Sequence, residues 1–223
     1  MTNSTTPRIS GRIALQGCLA WVTGTVGGAS LGMVIGAIGG WLVMLPLMLV
    51  PQAPGSSSMI PAIAQNLTGT VLLAFVAAGI AVGQSFILEP WLGERIRTPW
   101  MIGTSVAWVA GALVTGFVQN WLPGAWGFLF LKLVFGAAVG FGQLVVLRRY
   151  ISRANVWVAV SAVSLMAAES LSLTRMGTPV LLVPASALIY GALSGPAIVW
   201  LVLRPAQPAP APARPLPASD ARA

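Results

Sequence analysis

Histidine is absent from the 223 residues, and cysteine occurs once, as Cys18. Zinc, haem iron and bacteriochlorophyll lose most of their usual ligands with these two residues, so no metal or cofactor is expected. A disulfide within the chain is excluded, and general acid-base catalysis loses its commonest side chain. Charge is equally scarce: four acidic and twelve basic residues make up 7% of the chain, against about 25% in an ordinary soluble domain. A water-soluble fold of this size could not solvate its surface with so few charges. The formal charge of +8 would suggest a nucleic-acid partner in a soluble protein. Here the basic residues stand at the ends of apolar runs, where they set membrane orientation and meet anionic headgroups, so no nucleic-acid partner is expected.

Catalytic constellations are missing as well. The sequence holds no Ser with a His to activate it, no second carboxylate within an apolar run, no glycine-rich phosphate loop between strand and helix, and no cluster of metal ligands. Glu89 and Glu94 sit among Arg95 and Arg97 and read as a solvated charge cluster. An enzyme is therefore not expected.

What the chain does have is hydrocarbon: 57% of its residues are hydrophobic. Apolar runs at 15–45, 67–88, 99–119, 126–147, 155–175 and 179–203 each reach or exceed the roughly 18 to 20 residues that cross a bilayer core. Each is bounded by charge, proline or a polar turn. The fold class expected is all-α, a polytopic membrane bundle of about six transmembrane helices. The first run is ambiguous, because Ile13 to Val50 is too long for one untilted span and carries Gly39, Gly40 and Pro46. It reads as one tilted helix entering an interfacial segment, or as a crossing followed by a re-entrant piece.

Short cytoplasmic loops collect Lys and Arg, and this asymmetry fixes the orientation. With the N-terminus inside, the cytoplasmic side receives Arg8, Arg12, Arg95, Arg97, Arg148, Arg149, Arg153, Arg204, Arg214 and Arg222, ten of the twelve basic residues. The other side has Arg175, Lys132 lies within a span, and the connection from Pro51 to Asn66 is uncharged. Both termini are thus expected in the cytoplasm, in a bacterial inner membrane. The apolar run at the N-terminus continues too far for a cleaved signal peptide, and Leu15 to Cys18 follows Arg12 too closely to be a lipoprotein cleavage box. The division expected is a cytoplasmic segment over 1–12, a transmembrane domain over 13–204, and a disordered Pro/Ala-rich tail over 205–223.

An internal repeat is visible. Ala77 to Trp91 (AAGIAVGQSFILEPW) aligns without a gap on Gly136 to Tyr150 (GAAVGFGQLVVLRRY), matching Gly83 with Gly142, Gln84 with Gln143 and Leu88 with Leu147. A third copy, Gly191 to Pro205, keeps Gly191 and Gly195 but places Ile198 at the glutamine position. Trp21, Trp100 and Trp157 each open an intervening span, so the unit is a two-helix hairpin repeated three times in parallel orientation. The pattern G-x-x-x-G-x-x-Q-x-x-x-L-R-R, formed by Gly136, Gly140, Gln143, Leu147, Arg148 and Arg149, together with YGALSGPAIVWLVLR at the end of the last span, resembles a group of uncharacterised bacterial multi-pass proteins built from such hairpins. The resemblance covers roughly residues 70–204, departs where Glu89 and Pro90 replace the two arginines, and implies architecture without a mechanism. Mitochondrial carriers share the number of spans and hairpins, but their Pro-x-acidic-x-x-basic signature is missing and nothing else is transferred.

Four polar residues and one glycine stripe are the candidate functional positions. Gly24, Gly28, Gly32, Gly36 and Gly40 recur at every fourth position, a stripe that lets another helix backbone approach. Packing within the monomer is the favoured reading, and self-association or a partner helix the alternative. Lys132 and Glu169 are the intramembrane charges, expensive enough to count as functional candidates by default. Their depths from the same side agree, so an ion pair between the fourth and fifth spans is expected, either fixing two helices or forming an ion site, with Arg175 as another partner for Glu169. Gln84 and Gln143 occupy equivalent places and read as interhelical hydrogen-bonding groups. Trp91, Trp100, Trp121, Trp126 and Trp157 stand near span ends and read as interfacial anchors. The functional expectation is a non-enzymatic scaffold or accessory subunit that contacts the lipid bilayer and forms a homo-oligomer or binds another membrane protein. The alternative is a small transporter or channel with a pathway between the hairpins.

Overall fold

The computed structural model describes residues 11–49, 59–174 and 179–203. Arg8, Arg175, Arg204, Arg214, Arg222 and the Pro/Ala-rich tail, on which part of the orientation and domain readings rests, lie outside the described residues. Among the described residues six long helices make up the fold: α1 (Gly11–Met48), α2 (Met59–Leu92), α3 (Arg97–Val118), α4 (Gly124–Leu147), α5 (Val156–Ser170) and α6 (Pro179–Leu203). All six are long and apolar enough to cross a membrane, α5 together with the 3-10 turn that continues it to Leu173. The chain is an all-α, multi-pass membrane protein whose outward side chains meet the bilayer.

The ambiguity in the first run resolves as a single helix of 38 residues with Pro46 inside its last turn. At 1.5 Å per residue it is about 57 Å long, well beyond the roughly 30 Å of a hydrocarbon core. Between α2 and α3 the chain reverses at Gly93 (φ 88°), and α4 starts at Gly124 (φ 87°). Both backbones are left-handed, a conformation that costs a side-chain-bearing residue about 1 kcal/mol or more and glycine nothing.

Successive helices run antiparallel, each packs on its neighbour in sequence, and α6 returns against α1 to close the ring. The start of α1, the α2–α3 turn and the α4–α5 turn share one end of the bundle. It carries Arg12, Arg95, Arg97, Arg148, Arg149 and Arg153 and is called the basic end. Arg97 also lies 3.9 Å above the Phe86 ring and 3.7 Å from Glu89.

Small residues set the close approaches. The glycine stripe of α1 lies on α2 within the same chain, Gly24 on Gly83, Gly28 on Gly79, Gly32 on Phe75, Gly36 on Leu72 and Gly40 on Thr68. A Cβ at Gly24 would fall 2.8 Å from the Gly83 carbonyl oxygen, and at Gly36 3.0 Å from the Leu72 Cα. The surface that self-association would require is therefore already occupied. Gly136 and Gly140 of α4 meet α5 at Ala162, Ser161 and Val158, while Gly191 and Gly195 of α6 meet α1 at Val22 and Trp21.

The interior is layered. Nearest the basic end, Leu88, Leu147, Ile151 and Ile198 pack around Trp21, Trp100 and Trp157. Beyond them lies a belt of buried polar side chains, and then a second apolar cluster around Val76, Ile80, Trp108, Phe135, Val139 and Leu165.

Candidate functional site

Each odd-numbered helix brings a tryptophan to the axis and a hydroxyl residue one turn later: Trp21 and Thr25, Trp100 and Thr104, Trp157 and Ser161, all 0% exposed. Four residues is just over one helical turn, so both side chains of a pair face the same way. The three indoles meet at centroid distances of 5.8 to 6.5 Å, two of the three contacts edge-to-face, the arrangement that aromatic quadrupoles favour. Trp100 and Trp157 are thus core residues, which corrects the interfacial reading. Position along a span reports depth in the membrane and leaves azimuth undetermined. Trp121 and Trp126, at 75% and 85% exposure, do face outward.

Gln84 and Gln143 connect these pairs. Gln84 Nε2 donates to Thr25 Oγ1 at 3.2 Å, and Gln143 Nε2 donates to Thr104 Oγ1 at 3.2 Å and, weakly, to Gln84 Oε1 at 3.5 Å. Trp157 Nε1 donates to Gln143 Oε1 at 2.7 Å. On α6, which has Ile198 and no glutamine, Ser194 accepts from Trp21 Nε1 at 2.9 Å and donates to the Tyr190 carbonyl at 2.6 Å. The Tyr190 hydroxyl lies 3.3 Å from Ser161 Oγ. In a low-dielectric interior each group left unpaired costs about 1–3 kcal/mol, so this belt fixes the mutual rotation of the helices as firmly as packing does. Thr25, Thr104, Ser161, Tyr190 and Ser194 escaped the sequence reading. The hydroxyl four residues after a tryptophan would have found Thr25, Thr104 and Ser161; Tyr190 and Ser194 carry no such signal.

Lys132 Nζ and Glu169 Oε2 are 3.0 Å apart, each side chain about a quarter exposed (25% and 26%). The ammonium also sits 5.1 Å from the centre of the Phe128 ring and 5.8 Å from that of Phe135, close enough for a cation–π contribution. The pair does not join the polar belt. Both residues lie nearer the end opposite the basic one, and Glu169 stands in the wall of a cavity of about 410 Å³. Its other walls come from α1, α2, α3, α5 and α6, with Gly69 and Ser172 toward the far end and Tyr190 at the depth of the belt. The cavity therefore stops at the hydrogen-bonded layer, with the tryptophan cluster on the other side of it. Gln84 and Gln143, at 0% and 1% exposure, are sealed into the belt.

Comparison with known protein families, with curated proteins and with solved structures finds no match.

Proposed function

We propose that this chain is a non-enzymatic integral membrane scaffold or accessory subunit of a bacterial cytoplasmic membrane, with its basic end and both termini in the cytoplasm. The observation that carries the reading is how the interior polar groups are used. Gln84, Gln143, Thr25 and Thr104 bond to one another, Ser161 and Ser194 both bond to Tyr190, and the set takes the indole N–H of two of the three axial tryptophans. Side chains that in a transporter would line a path here act as cross-ties. The closed ring supports the same view: Gln84 ties α2 to α1, Gln143 ties α4 to α3 and α5, and Ser194 ties α6 to α1. Orientation follows from the six arginines gathered at the basic end, as short cytoplasmic loops require.

With the glycine stripe consumed between α1 and α2, assembly would use the lipid-facing surface, with a second copy or another membrane protein as partner. Purification from the native host in mild detergent, with quantitative mass spectrometry and size analysis, tests this. A stoichiometric partner or a defined homo-oligomer is expected; a clean monomer would refute it. A second reading, a small transporter, is favoured by the cavity at the far end. It requires the tryptophan cluster and the polar belt to part during each cycle.

A further inference from the structure

We infer that the outward groove between α1 and α2 holds one zwitterionic aminophospholipid, with an acyl chain along the groove and the headgroup on Arg97 and Glu89. The inference stands apart from the accessory reading. The groove follows from the glycine contacts: where the Gly28 and Gly79 backbones touch, no side chain fills the seam, and a trough of about 690 Å³ remains. Gly27 widens it, since an added Cβ there would meet nothing within 4 Å. Ile35 and Phe75 line one end, Ala20 and Phe86 the other. Ile35, Phe75 and Phe86 are exposed, so the groove faces the bilayer. From Phe75 to Phe86 the α2 helix rises about 16 Å, close to half of the roughly 30 Å hydrocarbon core. The groove therefore spans about one leaflet.

Charge at one end of the groove decides the headgroup. Phe86 is both groove wall and platform, with the Arg97 guanidinium 3.9 Å from its ring centre. Contact with a ring face uses no hydrogen-bond acceptor, so the guanidinium keeps its N–H donors for a phosphate, which they match in geometry. Glu89, one turn after Phe86 on α2, brings a carboxylate to the same place, 3.7 Å from Arg97 Nη1. At that separation the two charges attract without a hydrogen bond, and with side chains 40% and 26% exposed both can take an outside partner. A phosphate and a primary ammonium on one headgroup engage Arg97 and Glu89 together. A lipid with negative charge alone would face the Glu89 carboxylate, and a trimethylammonium has no N–H to donate to it. The α4–α5 turn, with Arg148, Arg149 and Arg153 and no acidic residue from 148 to 155, offers purely anionic lipids a better place.

The test is native mass spectrometry of the purified full chain in detergent, titrated with phosphatidylethanolamine, phosphatidylcholine and phosphatidylglycerol that share the same palmitoyl and oleoyl chains. Gly27→Leu fills the groove from an open position, and the lipid adduct it removes is the one at issue; thermal unfolding checks that the variant is folded. One such adduct per chain is expected, about fivefold tighter with phosphatidylethanolamine than with either other lipid, the value of one hydrogen bond. Glu89→Ala should abolish that preference, whereas Arg97→Gln should weaken all three lipids at this site. Phosphatidylglycerol held at the α4–α5 turn should respond to none of these variants. Adducts that all survive Gly27→Leu, no preference for phosphatidylethanolamine at the groove, or a preference that survives Glu89→Ala would overturn the assignment.

Discussion

Gly27 and Gly28 are adjacent in sequence and opposite in environment. A Cβ at Gly28 would run into the Gly79 carbonyl of α2, whereas at Gly27 it would meet nothing within 4 Å. Gly28→Ala should therefore destabilise the bundle by about 1–3 kcal/mol through overpacking. Gly27→Ala should be neutral or stabilising by up to about 1 kcal/mol, from the gain in helix propensity. Thermal unfolding in detergent separates the two. Gln143 presents a different kind of dependence, because its amide accepts from Trp157 and donates to Thr104. Gln143→Leu leaves both without that partner and should cost roughly 2–4 kcal/mol, more than a typical membrane hydrogen bond of about 0.6 kcal/mol. A loss below about 1 kcal/mol in the same assay would mean that the belt does not act as a unit. At this scale the sequence was half informative. A four-residue glycine period names a packing face, and two aligned glutamines name polar positions. Thr25, Thr104 and Ser161 went unseen because hydroxyl residues are common in spans and acquire meaning only from their spacing to a tryptophan.

Helices and their pairings are the next scale. The Lys132–Glu169 bridge ties α4 to α5 at 3.0 Å near the far end, while Gly136 and Gly140 hold the same two helices together closer to the basic end. Removing one charge, as in Lys132→Met, leaves the other half-buried and unpaired. The cost should be roughly 1–3 kcal/mol, between that of an exposed pair and that of a fully buried one. The double variant Lys132→Glu with Glu169→Lys should recover most of that loss in thermal unfolding, and normal folding of Glu169→Gln would argue against a structural role. Span existence was legible because hydrocarbon length fixes it: the six helices fall within several residues of the apolar runs. Helix continuity through Gly39 and Gly40 was not legible, since those glycines also fit a break. They stay helical because α2 packs against them at Thr68, Val71 and Phe75, a tertiary contact that no local pattern contains.

At the scale of the whole molecule the ring closes through α6 on α1, where Gly191 and Gly195 admit Val22 and Trp21. Charge asymmetry told which helix ends belong together, but not the order around the ring or the rotation of each helix. The cavity was invisible for the same reason: its walls come from five helices, and each contributes residues unremarkable in its own span. The interior is closed toward the basic end by the polar belt and three tryptophans, and the cavity lies beyond them toward the far end. Ala187, buried in the cavity wall, provides a reporter. With Cys18 replaced by serine and Ala187 by cysteine, a small membrane-impermeant thiol reagent is applied to spheroplasts and to inside-out vesicles. Modification is expected from the periplasmic side in spheroplasts, with protection from the cytoplasmic side in inside-out vesicles. Modification from the cytoplasmic side would reveal a route through the belt, contradict the closed bundle, and place the protein among transporters.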